Sequence, residues 1–230
     1  ETAKAAKFMI ISYPANPVCS VADDSFYEKA IAFAKKYNVI LLHDNAYSDI
    51  IFGGKEGKSF LSYPGAMEVG IEFYSLSKSY NMTGMRISFA LGNKDVIQMF
   101  RKVRSQIDYG IFLPIQKAAV AALTGPQDNV KEQCRIYEER NYALCRGMSS
   151  IGWKIPDGQG TMFVWAPIPE NYTSSERFTL DLMEKTGMIV TPGTAFGNLG
   201  EGYVRIALVH PVETIEKVVR IVKESGILEP

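Results

Sequence analysis

The stretch FYSLSKSYNMTGMRISFALG, residues 73–92, sets a lysine and an arginine between two apolar segments. IEFYSLS (71–77) reads as a strand covered on both faces, and RISFALG (86–92) as another. Only 8 positions separate Lys78 from Arg86. A parallel crossover takes about a dozen residues or more. The two strands are therefore expected to run antiparallel, joined by a tight loop at Asn81–Gly84.

Working outward from that pair, the N-terminal side alternates strand and helix. KFMIISYP (7–14) reads as a strand entering a turn at Pro14 and Pro17. DDSFYEKAIAFAKKYN (23–38) spaces Phe26, Ala30, Phe33 and Ala34 as a helix does, with Asp23 or Asp24 at its N-cap. VILLHD (39–44) is a continuous apolar run. This order predicts an α/β fold whose sheet is mostly parallel with one antiparallel strand. NKDVIQMFRKVRSQI (93–107) and LPIQKAAVAALTG (113–125) read as helices, the second ended by Gly125-Pro126. NVKEQCRIYEERNYALCRGMSSIG (129–152) reads as a long helix linking two domains, 1–135 and 136–230. The second is expected to be a small α+β domain with strands at WKIP, TMFVWAP, MIVTPG and YVRIALV, and two helices.

Lys+Arg 25 balance Asp+Glu 25, so electrostatics give no case for nucleic acid or an anionic membrane. No apolar run approaches the roughly 20 residues of a membrane span. The opening ETAKAAKFMI lacks the layout of a signal peptide, and without an initiator Met it implies a start inside a longer protein. Cys19, Cys134 and Cys145 follow no zinc pattern, so reduced thiols in the cytoplasm and no metal are expected. Of two histidines, His43 reads as a strand-end core residue.

Ligands of open α/β sheets bind beyond the carboxyl ends of the strands. Asn16, Asp44 and the group Ser75, Ser77 and Lys78 each follow a strand, and Tyr47 lies three residues past Asp44. An ordinary lysine titrates near about 10.4, but desolvation or a nearby cation lowers this and permits Schiff-base chemistry. Arg86 can act as that cation and as a phosphate clamp, with serine hydroxyls beside it. Asp44 can hold a pyridinium nitrogen protonated, and Tyr47 can bond a ring oxygen. An aldehyde-capturing lysine, a phosphate clamp and a pyridinium acid are the parts that pyridoxal 5'-phosphate requires. Lys94, Lys102, Lys117 and Lys131 lie on amphipathic helices and read as solvated. Met9, Met82, Met85 and Met162 read as packing. TPGTAF (191–196) is open between a site-lining loop and a plain turn.

Asn16-Pro17, DNAY (44–47), SLSKSYNMTGMR (75–86) and YVRIAL (203–208) together resemble the class I/II aminotransferases of pyridoxal-phosphate fold type I. The 28 positions from Asn16 to Asp44 and the 8 from Lys78 to Arg86 fit that family. The resemblance implies that Lys78 forms the Schiff base and shuttles a proton. Asp44 would pair with the pyridine nitrogen, and Asn16 and Tyr47 would bond the 3-oxygen. Ser75, Ser77 and Arg86 would bind phosphate. Arg205 would grip the substrate carboxylate, with domain closure on binding. By the residues alone Arg205 reads first as half of a structural ion pair, since a buried guanidinium needs an anion.

Amino acid and 2-keto acid would be the substrates, and the full-length protein a homodimer. A C–S β-lyase on the same fold and the aminotransferase-like domain of a transcriptional regulator are the competing readings. Val18-Cys19 stands where the family writes Thr-Gly. Family members also carry a preceding segment with the ring-stacking aromatic and part of the phosphate site. This chain is therefore expected to be a C-terminal portion, with an exposed sheet edge and impaired activity alone.

Overall fold

The computed structural model describes residues 2–229, with side chains from residue 4 onward. The chain forms two compact units: residues 1–14 with 21–134, and residues 15–20 with 135–230.

The first unit runs α1 (Thr2–Ala5), β1 (Phe8–Ser12), α2 (Asp24–Tyr37), β2 (Ile40–Asp44), α3 (Ala66–Val69), β3 (Gly70–Ser75), α4 (Leu76–Ser79), β4 (Ser88–Gly92), α5 (Lys94–Arg104) and α6 (Leu113–Thr124). It also takes the opening of α7 (Asp128–Ser150). Its sheet has the order β1-β2-β3-β4. The first two pairings are parallel and β3–β4 is antiparallel, from Ser75 opposite Ser88 to Ile71 opposite Gly92. The short return read from the sequence thus reverses the strand as expected. Gly92 ends the ladder at φ +137°, where an added Cβ would stand 2.4 Å from the Gly70 carbonyl oxygen. Both β1 and β4 are sheet edges among the described residues.

Helix α2 starts where Asp23 accepts a hydrogen bond from Phe26 N at 2.8 Å. Such caps contribute about 1 kcal/mol. The helix ends at Asn38 in the left-handed region, with Lys35 and Lys36 in its last turn. It buries Tyr27, Ala30, Ile31 and Ala34 with Ile11, Leu41, Phe60 and Ala66 in one core. Met9 packs at the margin of this core, and Met82 against the Leu76–Ile87–Ala119 cluster. Met85 instead is 44% exposed, contrary to the packing role expected of it.

Within that core lies a closed polar network. His43, fully buried, bonds Glu72 Oε2 through Nδ1 at 2.9 Å and meets the Tyr13 carbonyl oxygen through Nε2 at 3.1 Å. Glu72 also accepts from Ser59 Oγ at 2.9 Å and Phe60 N at 2.7 Å. Burial pushes the Glu72 carboxyl up, but these hydrogen bonds and the His43 charge outweigh it and hold the carboxyl below its usual range. His43 is therefore a structural residue tying β2, β3 and the 59–60 turn together.

In the second unit, α7 continues to Ser150, followed by β5 (Phe163–Pro167), α8 (Ser175–Thr186), β6 (Thr191–Pro192), β7 (Tyr203–Ala207) and α9 (Val212–Glu224). The strands form an antiparallel sheet in the order β5-β7-β6. WKIP is not a strand, contrary to expectation. Its side chains alternate buried and exposed because Trp153 and Ile155 point inward. Its backbone is met elsewhere: Trp153 N donates to the Met148 carbonyl at 3.1 Å and Ile155 N to Ser149 Oγ at 3.1 Å, while the Trp153 indole donates to the Pro167 carbonyl at 2.7 Å. Pro156 has no N–H to offer a ladder. MIVTPG shortens to two strand residues, Thr191 and Pro192.

Glu72→Gln is expected to destabilise the protein by about 1–3 kcal/mol at pH 7. The Glu72 contribution is fully present above the ordinary glutamate pKa and is lost as pH falls through the lower folded value. Urea denaturation should therefore show the gap between wild type and Glu72→Gln closing with acidification below that ordinary pKa.

Candidate active site

Three parallel strands of the first unit end side by side, with Ser12 beside Asp44 and Asp44 beside Phe73. This rim is where ligands of open α/β sheets bind. Asp44 and Ser75 line an open concavity of about 390 Å³ with Ile10, Leu42, Ala46, Phe73, Tyr74 and Ser88. The Asp44 carboxylate is exposed and accepts from Ala46 N at 3.3 Å. It has no cationic partner among the described residues.

Lys78 sits in the single turn of α4, directly after β3. Ser75 caps that turn, its hydroxyl accepting from Ser77 N at 3.2 Å. Leu76 anchors it in the apolar cluster, fully buried. The half-buried Lys78 ammonium lies 5.9 Å from the centroid of the buried Tyr47 ring. It makes no hydrogen bond or ion pair among the described residues. A half-buried ammonium whose one described contact is a ring face is unusual for a structural charge.

The return towards β4 is tied by side chains. Thr83 donates its hydroxyl to the Ser77 carbonyl at 2.9 Å, and Arg86 donates to the Thr83 carbonyl at 3.1 Å. Arg86 stands at φ +51°, a conformation that a non-glycine residue adopts at some cost. The chain Ser77–Thr83–Arg86 thereby fixes the exposed arginine relative to the lysine turn. Ser77 is buried.

The second unit holds a separate constellation. Arg205, on β7, donates from a terminal nitrogen to Asn16 Oδ1 at 2.9 Å. Its guanidinium carbon lies 4.2 Å from the Phe163 ring centroid and 4.7 Å from that of Phe196. No carboxylate meets it among the described residues, so the structural ion pair that the sequence left open is not present there. Phe196 comes from TPGTAF, which makes that segment a lining of the arginine. Trp165 and Tyr203 stack beside it, 5.3 Å between centroids.

Asn16 is held by the turn behind it. Cys19 N bonds the Ala15 carbonyl at 2.8 Å, and Ala15 N bonds the Ser20 carbonyl at 3.0 Å. Cys19 stands at φ +61°, so the turn keeps a glycine-like conformation with a side chain present. Its thiol lies 3.2 Å from both the Phe163 carbonyl and the Thr161 hydroxyl. Burial, only partly offset by that hydroxyl, pushes the Cys19 thiol up to about 11. It is a packed cysteine, not a reactive one.

The structure thus gathers Asp44 and Ser75 in one concavity, Lys78 against Tyr47, and Asn16 against Arg205. Lys94, Lys102, Lys117 and Lys131 are exposed, as expected of solvated lysines. Sequence reading missed Ser88, which faces Ser75 across the β3–β4 ladder, and the two rings around Arg205. It also missed Asp49, five residues past Asp44. The apolar neighbours of Arg205 were visible, but their partnership with a cation was not.

The family model "Aminotransferase class I and II" matches residues 1–222. An LL-diaminopimelate aminotransferase of Moorella thermoacetica is 46% identical over 219 residues, 95% of this chain and 56% of that protein. The substrate-bound BacF structure from Bacillus subtilis superposes with a TM-score of 0.93 at 39% identity, covering 96% of this chain and 56% of its own. A probable N-succinyldiaminopimelate aminotransferase from Thermus thermophilus gives a TM-score of 0.92 at 35% identity, covering 97% and 60%. The chain therefore spans little more than half the length of the relatives it matches. With the family's fold, its strand-end lysine and its match across nearly the whole length, this chain belongs to the class I and II aminotransferases.

Proposed function

We propose that the chain carries the catalytic lysine of a pyridoxal-phosphate-dependent aminotransferase, moving an amino group between an amino acid and a 2-keto acid. The uncompensated Lys78 ammonium beside Tyr47, one strand from the uncompensated Asp44 carboxylate, is the observation that supports this most. The donor set fits the cofactor: an amine for its aldehyde, a carboxylate for its ring nitrogen, and hydroxyls with a guanidinium for its phosphate. Bound there, pyridoxal 5'-phosphate supplies an electron sink for the substrate Cα.

The protein's own groups do the rest. Lys78 Nζ would hold the cofactor and is the amine placed to carry the proton of the substrate Cα. Asp44 would keep the pyridine nitrogen protonated. Ser75, Ser77 and Arg86 would hold the phosphate. Tyr47 and Asn16 would bond the 3-oxygen. Asn16 suits this role because Arg205 occupies its Oδ1, which leaves Nδ2 as the group to donate. Arg205 takes the substrate carboxylate. Two aromatic rings and the Asn16 amide oxygen already orient its guanidinium, so less ordering remains when an anion arrives. The Moorella relative makes LL-diaminopimelate the amino donor to assay first.

Reductive trapping with borohydride after incubation with pyridoxal 5'-phosphate should place the label on Lys78, read by peptide mass spectrometry. Equal labelling of Lys78 and the exposed helix lysines would refute the assignment. In the full-length protein, Arg205→Ala should raise KM for the amino acid about 10- to 100-fold, the worth of a charge-assisted hydrogen bond, with a smaller change in kcat. Steady-state kinetics with a fixed keto acid measures it.

A further inference from the structure

The loop after β2 carries Asp44 and Tyr47 and then, at its far end, Asp49. One oxygen of the Asp49 carboxylate, Oδ2, accepts two hydrogen bonds. Tyr74 Oη donates at 2.7 Å and Ser79 Oγ at 2.5 Å. These donors bracket Ser75–Lys78: Tyr74 precedes Ser75 on β3, and Ser79 follows Lys78 at the end of α4. A single anionic oxygen therefore clamps both ends of the lysine turn to the loop that bears Asp44 and Tyr47.

The surroundings make the clamp stiff. Ser79 is almost fully buried and Leu76 is fully buried, so neither end of the turn can swing into water. Burial and then the Asp49 bond push the Tyr74 phenol far up, which keeps it a donor to the carboxylate. The Asp49 loop is itself pinned, with Asn45 N bonded to the Phe73 carbonyl at 2.9 Å and Ile50 N to the Tyr47 carbonyl at 2.9 Å. A four-residue helical turn has little stability of its own. Without a tertiary tie, α4 would leave the lysine to sample several backbone positions. Charge-assisted hydrogen bonds contribute about 1.5–3 kcal/mol each, enough to select one of them.

We propose that Asp49 is a positioning residue for Lys78, holding α4 so that the ammonium stays against Tyr47 and beside the Asp44 strand end. The proposal rests on Lys78 being the cofactor-binding lysine. Asp49 touches neither cofactor nor substrate and acts through Tyr74 and Ser79.

The test compares the wild-type 230-residue chain with Asp49→Ala, Asp49→Asn and the Tyr74→Phe/Ser79→Ala double variant. Each is incubated with pyridoxal 5'-phosphate and trapped with borohydride at timed intervals. The ratio of Lys78 label to label on Lys94, Lys102 and Lys117 is then read by mass spectrometry. The three exposed lysines correct for concentration and gross unfolding. Asp49→Ala and the double variant should slow relative Lys78 labelling about 10- to 100-fold, the scale of a misplaced reacting group. Asp49→Asn keeps an oxygen able to accept both bonds but loses their charge assistance, so it should fall between wild type and Asp49→Ala. Should Asp49→Ala fail to fold, the double variant carries the same expectation with the carboxylate in place. Wild-type and double-variant Lys78 labelling at equal rates overturns the positioning role while leaving the lysine assignment intact. Preference for Lys78 absent in the wild type overturns both. Asp49→Asn as slow as Asp49→Ala, with wild type normal, overturns the hydrogen-bond account.

Discussion

Between the end of β3 at Ser75 and the start of β4 at Ser88 the chain must reverse within residues 76–87. Those 12 residues are at the lower limit for a parallel crossover, and with short turns at 76–79 and 83–85 they hold no crossover helix. The reversal is made from one α-turn, a 3-10 turn at Thr83–Met85 and Arg86 in the left-handed region. A left-handed arginine costs roughly 1–2 kcal/mol. The cost is met because Leu76 and Ile87, one at each flank of the return, are both buried in the same apolar cluster. The loop cannot relax its strained residue without exposing them. The same confinement puts a lysine near the start of the return and an arginine at its end. It leaves their orientation to side-chain bonds from Ser75, Thr83 and Asp49.

Two charged groups show how this protein treats ions in apolar surroundings. Glu72 is enclosed by His43, Ser59 and Phe60 N, and every partner comes from the fold. Arg205 is instead held by two ring faces and one neutral oxygen. The first arrangement is complete and serves the core. The second orients a cation without neutralising it. The contrast lies in the partners as well as in burial, since Glu72 is buried and Arg205 is partly exposed.

The fold was legible where one constraint acted over a short span. The reversed β4 followed from the 8 positions between Lys78 and Arg86, and α2 from its apolar spacing and an aspartate cap. WKIP misled because an extended segment buried on one side alternates as a strand does, whether its backbone finds a ladder or, as here, a serine hydroxyl. At the site, residues on strand ends announced themselves by type and place. Asp49 did not, because its meaning lies in two donors 25 and 30 positions away, and a carboxylate in a loop looks solvated until they are found. The aromatic clasp on Arg205 stayed hidden for the same reason: Phe163 and Phe196 come from different segments, and each alone reads as packing.

Residues 15–20 belong to the second unit although they lie in sequence between β1 and α2. Asn16 waits for a partner 189 positions later, and Cys19 for one 142 positions later. At a synthesis rate of about 5–20 residues per second, Asn16 is made roughly 10–40 seconds before Arg205. The whole first unit is complete in that interval, with this hexapeptide as a loop whose contacts do not yet exist. The second unit is consequently not a cassette. A cut anywhere in α7 strands its hexapeptide on the other piece, leaving Thr161 and Arg205 without the groups that hold them. Gene fusion or shuffling at that helix would sever a unit from its own earliest-made part.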